Sequence, residues 1–108
     1  MYRMERVNSE IMKNLLEIIK NMNDKRISGQ IITISYVDTT PDLKLARVGV
    51  QTKDCKEVCA LLNKCKSYIR KELASKMNMK STPDVVFYED KTEEVANRIE
   101  QLLKQIKN

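Results

Sequence analysis

Residues 31–52, IITISYVDTTPDLKLARVGVQT, decide the fold. Ile31 to Val37 is β-branched and aromatic, the composition of a strand on a half-buried pleated surface. Leu43 to Thr52 alternates, with Ala46, Val48 and Val50 on one face and Leu45, Arg47 and Gln51 on the other. Between them, Asp38 to Asp42 carries turn chemistry, and Pro41 presets its own φ. Two strands joined by about five residues make an antiparallel hairpin.

Helical periods lie on both sides of the hairpin. Upstream, Met4, Val7, Ile11, Leu15, Ile18 and Met22 recur at steps of three and four, the spacing of an amphipathic helix. Asn21 to Gly29 reads as its exit loop, with Asn23, Asp24 and Gly29 as breakers. Downstream, Asp54 opens a second helix with Glu57 in the capping-box position. Its stripe is Val58, Leu61, Leu62, Cys65, Ile69 and Leu73. A straight continuation would set Glu72 beside that apolar arc, and a kink soon after Cys65 relieves the conflict. Pro83 introduces a short strand, Val85 to Glu89. Asp90, with Glu93 three residues on, caps a last helix whose expected core stripe is Val95, Ile99, Leu102, Leu103 and Ile106.

The predicted order is helix, strand, strand, helix, strand, helix. Three strands with helices on one face form an α+β two-layer sandwich. A helix between the second and third strands suits a right-handed crossover joining parallel neighbours. The 108 residues fit a single domain, and a chain of this size buries ~65% of its unfolded surface. One core without metals or disulfides is expected. No apolar run approaches a membrane span, and the charged N-terminus is not a secretory leader, so a cytoplasmic location is expected. Cys55, Cys59 and Cys65 then read as free thiols.

The net charge of +5 is not spread evenly. From Asn63 to Lys80 the bases Lys64, Lys66, Arg70, Lys71, Lys76 and Lys80 face the single acid Glu72. The rest of the chain balances. Closely spaced cations are what a phosphate backbone requires, because each neutralised phosphate releases counterions. These six residues are the expected RNA contacts. Arg3, Arg6, Lys13, Lys25 and Arg26 form a second set, mixed with acids. Tyr68, beside Arg70, is the aromatic best placed to stack on a base. Catalysis has little support: histidine is absent, and no phosphate-binding glycine loop, nucleophile elbow or metal-spaced carboxylate cluster occurs. Neither a cofactor nor a metal is expected.

Several short stretches, in order and spacing, resemble the ribosome-binding factor A family over nearly the whole chain. They are Arg6-Val7 with Ile11, Asp24-Lys25-Arg26, and Val37 through Pro41-Asp42-Leu43 to Ala46 and Val48. They continue with Tyr68 through Leu73, Pro83 with Phe87 and Asp90, and Arg98-Ile99 with Leu102-Leu103. The resemblance implies a type II KH-like fold and a single RNA-binding domain over residues 1–108. Ordinary KH domains grip nucleic acid with a GxxG loop, which this chain lacks. The family has a helix–kink–helix with an Ala-x-Gly signature instead, and Cys65-Lys66-Ser67 stands at that place. The implied function is non-catalytic assistance to small-subunit maturation and precursor rRNA processing, most important in the cold. The implied partners are the small ribosomal subunit, its precursor rRNA and an assembly GTPase, with the chain itself a monomer. A competing reading is a protein–protein or small-ligand regulatory module that docks through its exposed sheet face.

Overall fold

The computed structural model describes residues 4–78 and 81–106. The hairpin is formed by β1 (Thr33–Thr39) and β2 (Leu45–Gln51), paired antiparallel from Thr39↔Ala46 to Thr33↔Gln51. The first strand lies two residues later than its composition suggests, because the turn closes tightly. Thr40 N–H donates to the Leu45 carbonyl at 2.8 Å, and Leu43 N–H to the Thr40 carbonyl at 2.8 Å. The Asp42 carboxylate accepts from the Thr40 hydroxyl at 2.6 Å and from Lys44 N–H at 3.1 Å. Leu43 takes a left-handed φ of 60° to complete the turn, a conformation uncommon for a leucine, while its side chain packs against the core.

The pairing skips Ser35, a bulge between Ile34↔Val50 and Tyr36↔Gly49. The extra residue turns Ile34 inward and Tyr36 outward, laying the Tyr36 ring over Gly49. A Cβ on Gly49 would fall 2.1 Å from Tyr36 Cε1. Here the glycine makes room for a ring rather than supplying an unusual φ.

A third strand, β3 (Asp84–Glu89), runs parallel to β2, giving the order β1-β2-β3. Ala46, Val48, Val50, Val85 and Phe87 turn to one face and are buried. α1 (Met4–Lys20) covers β1 with Val7, Ile11, Leu15, Ile18 and Ile19. α3 (Cys55–Lys64) and α4 (Lys66–Lys76) cover β3. The result is the expected α+β two-layer arrangement, with a break in the crossover between the parallel strands. Asp54 makes no side-chain cap at the start of α3. Cys55 Sγ instead donates to the Val50 carbonyl at 3.0 Å.

Two further expectations are corrected. The loop Asn21 to Gly29 contains a one-turn helix, α2 (Lys25–Ser28). Asp24 caps it by accepting from Arg26 N–H at 2.9 Å, and Ile27 is fully buried at its centre. Four residues are too few for a periodic signal to register. The last helix, α5 (Thr92–Ile106), was expected to bury its stripe. Ile99, Leu102 and Leu103 are instead 51%, 59% and 54% exposed, and α5 packs on no other element among the described residues. The side chains of Val95 and Ile106 lie outside the described residues. Its projection accounts for a radius of gyration of 16.1 Å, against about 13 Å for a compact chain of this size. Periodicity says that a stripe seeks cover; α1, α3 and α4 had already taken the sheet's buried face.

Candidate nucleic-acid interface

The site is built around the interruption between α3 and α4. α3 buries Val58, Cys59 and Leu62, and α4 buries Ile69 and Leu73. A straight continuation of α3 would set Glu72 at the edge of that buried stripe. The break falls on Cys65, at φ −96° and ψ 9°, a bridge-region conformation open to any L-residue. Cys65 N–H still donates back to Leu61 and Leu62 carbonyls at 3.2 and 3.1 Å, while its own carbonyl accepts from Ile69 N–H at 3.0 Å. No glycine is required, which is why serine is accommodated: Ser67 lies within the first turn of α4, past the break. Glu72 ends half-buried on the flank.

Asn63, just before the break, fixes its position. Its Nδ2 donates to the Phe87 carbonyl at 3.0 Å and its Oδ1 accepts from Phe87 N–H at 2.9 Å. Asp84 N–H and Asp90 N–H donate to Lys44 and Val50 carbonyls of the neighbouring segment, so alternation turns the Phe87 backbone toward the sheet's free edge. The Asn63 amide there does the work of a further strand.

Below the break lies a groove of about 230 Å³ lined by Leu45, Lys66, Ser67, Arg70, Asp84, Val85 and Val86. Its floor is apolar (Leu45, Val85, Val86) and its rim cationic on the α4 side (Lys66, Arg70). The volume is below the ~300–1,000 Å³ of small-molecule pockets. A wider depression of about 620 Å³ at the start of α3 carries Lys53 and Lys56 beside Asp54, Glu57 and Glu89. Its charges oppose one another, so it offers no single-sign field to a polyanion.

The predicted contacts divide sharply. Lys64, Lys66 and Lys71 are exposed and pair with no carboxylate among the described residues. Arg70 is engaged: its Nε lies 3.0 Å from Asp84 Oδ1, and Nε and Nη2 donate to the Thr82 carbonyl at 3.3 and 3.1 Å. It latches the entry of β3 to α4. Lys76 pairs with Glu17 of α1 at 3.1 Å. Lys80 and Arg3 lie outside the described residues. In the second set Arg6, Lys13 and Lys25 are exposed without a carboxylate partner among the described residues, whereas Arg26 is paired with Asp24 at 2.8 Å. The Arg26 side chain also holds the Asp24 carboxyl below its usual range. Tyr68 is half exposed on α4, one turn from Lys71. Asn63 and Asp84 were missed by sequence reasoning, since nothing local marks residues whose partners lie across the fold.

No cluster of metal-ligating side chains occurs among the described residues. The three cysteines are free thiols. Burial, followed by the nearby Cys55, pushes the Cys59 thiol up to about 12, which keeps it protonated and a poor nucleophile. No helix among the described residues is long and apolar enough to cross a membrane.

Comparison with known proteins agrees with this arrangement. The family model described as ribosome-binding factor A matches residues 3–103. A ribosome-binding factor A from Pseudothermotoga lettingae is 38% identical over 110 residues, covering 98% of this chain and 92% of that protein. A solution NMR structure from Thermotoga maritima, described as a ribosome binding factor A, superposes with a TM-score of 0.74 at 32% identity, covering 84% of this chain and 90% of the other. Thermus thermophilus ribosome binding factor A, fitted as a homology model into a cryo-EM map of a 30S complex, shares the fold. Its TM-score is 0.65 at 19% identity, covering 77% of this chain and 90% of that one. By the extent of these matches, the chain belongs to the ribosome-binding factor A family.

Proposed function

We propose that this chain binds RNA of the immature small ribosomal subunit through the break between α3 and α4, and assists maturation and precursor processing by binding alone. The observation that carries the reading is Lys66 at the rim of a groove with an apolar floor, with Lys64 and Lys71 exposed on the same helical segment and without a carboxylate partner among the described residues. Single-stranded RNA needs both parts: cations along its phosphates and an apolar surface under an unstacked base. Tyr68 supplies a second stacking face beside Lys71. Arg70 shapes the groove instead of reaching outward, because Thr82 and Asp84 hold its guanidinium. The Thermus relative fitted into a 30S complex makes the small subunit the natural partner. We take a single copy of the chain as the binding unit. Chemistry on RNA is not part of the reading: the sequence holds no histidine, the usual residue for proton transfer near neutral pH.

The test is binding to a precursor small-subunit RNA fragment across a salt series, with co-sedimentation on small subunits at low salt. Lys64→Glu, Lys66→Glu and Lys71→Glu combined should weaken binding and lower the salt slope by about two, at ~0.7 per lost phosphate contact on a single strand. The circular dichroism spectrum should be unchanged. Wild-type affinity in that triple variant would defeat the proposal, as would failure of the wild type to sediment with small subunits.

A further inference from the structure

Building on the RNA-binding role proposed above, we infer that the groove between α4 and the start of β3 selects guanine, with the Asp84 carboxylate reading the Watson–Crick edge of the base. The groove, about 230 Å³, has room for one purine and not for two. Leu45, Val85 and Val86 give it an apolar floor on which a flat ring can lie. Around that floor the charged groups are of opposite sign. Lys66 and Arg70 stand on the α4 side, and Asp84 stands on the strand side. A carboxylate repels phosphate, so the strand side of the groove suits a base edge and not the RNA backbone.

Asp84 has acceptor capacity to spare. Its side chain is exposed, and its Oδ1 lies 3.0 Å from Arg70 Nε. The N–H bonds of Arg70, from Nε and Nη2, go to the Thr82 carbonyl. A carboxylate offers about four lone-pair sites, and one neighbouring guanidinium nitrogen does not fill them. Guanine is the base that fits what remains. Its edge sets two donors, N1–H and N2–H, side by side, and a carboxylate accepts both in the parallel geometry it uses with arginine. Its O6, next along the edge, then faces the cationic side of the rim, Lys66 and Arg70. Adenine and cytosine offer one donor beside a bare ring nitrogen, and uracil offers one donor between two carbonyls. Each of these turns a lone pair toward Asp84, which has no proton to donate while ionised. Base preference therefore comes from one acid, and affinity from the lysines.

Fluorescence anisotropy of the full chain tests this, with labelled short uridine oligomers carrying guanine, inosine, adenine, cytosine or uracil at the centre, at one salt concentration. The wild type should bind the guanine oligomer about 10-fold more tightly than the adenine, cytosine and uracil oligomers, the discrimination of one bidentate pair. Inosine lacks the N2 amine and should fall between, a comparison that needs no change to the protein. Asp84→Asn turns one acceptor into a donor and should bring all the oligomers to within about twofold of one another, with its circular dichroism spectrum unchanged. Lys64→Glu with Lys71→Glu should instead weaken every oligomer by a similar factor and keep the guanine preference. Equal wild-type affinity for all central bases would overturn the proposal while leaving RNA binding intact. So would inosine bound as tightly as guanine, or a guanine preference that survives Asp84→Asn. Failure of the wild type to bind any of the oligomers would sink RNA binding by the groove and guanine selection together.

Discussion

Replacing Asn63 by alanine removes both hydrogen bonds to the Phe87 backbone, at 3.0 and 2.9 Å. A typical net hydrogen bond contributes about 1 kcal/mol, and a buried polar group left without a partner costs about 1–3 kcal/mol. Phe87 is 2% exposed, so water reaches its freed N–H and C=O poorly. Asn63 itself is only half-buried, which favours the lower end of the range. The expected loss is therefore about 2–3 kcal/mol, far above the ~0.5 kcal/mol of an ordinary surface change. Urea unfolding should show a lower midpoint at an unchanged slope, and hydrogen exchange at the Phe87 amide should accelerate more than at the other amides of β3. Asn63→Asp is the informative companion. Its carboxylate can still accept from Phe87 N–H but cannot donate to the carbonyl, so its amide exchange should stay closer to wild type than that of Asn63→Ala. A cost for Asn63→Ala no greater than that of Lys64→Ala would refute the idea that this side chain completes the strand edge.

Three further outcomes are expected. Arg70→Met should destabilise by about 1–2 kcal/mol, a charge-assisted bond discounted for its half-exposed side chain, whereas Lys71→Met should stay within ~0.5 kcal/mol; equal urea midpoints would remove Arg70 from its latching role. Thr39→Val should stabilise by about 1 kcal/mol, because the Thr39 hydroxyl is buried without a partner, while its N–H bond to Asn8 Oδ1 at 3.1 Å belongs to the backbone; a lower melting temperature would contradict this. Hydrogen bonding from Ser35, then Thr92 and Gln51, holds the Asp90 carboxyl down to about 2, against about 3.9 in an unfolded chain. A depressed carboxyl contributes stability at higher pH that is lost as pH falls through that window. The stability gap between wild type and Asp90→Asn should therefore narrow as pH drops from about 4 to 2, and a pH-independent gap in urea unfolding would refute the assignment.

Relation of the basic cluster to its neighbours explains why the candidate site was only partly legible. Its concentration between Asn63 and Lys80 is a fact of local sequence, and Lys64, Lys66 and Lys71 remain unpaired among the described residues. Arg70 and Lys76 look equivalent to them in sequence. What separates them is Asp84 from β3 and Glu17 from α1, the latter 59 residues from Lys76. Ion pairs of that separation follow from packing, which no local pattern encodes.

Residues 31–52 determine the hairpin by themselves, because a period of two with a proline turn between has one inexpensive solution. The helical stripes of α1, α3 and α4 were likewise written in spacing, and Glu72 beside the apolar arc pointed to an interruption after Cys65 without fixing it. Tertiary structure alone decided where the break falls, which cations stay free and whether α5 finds cover. Those depend on how much apolar surface the sheet had left, and on which charges arrive beside one another from distant parts of the chain.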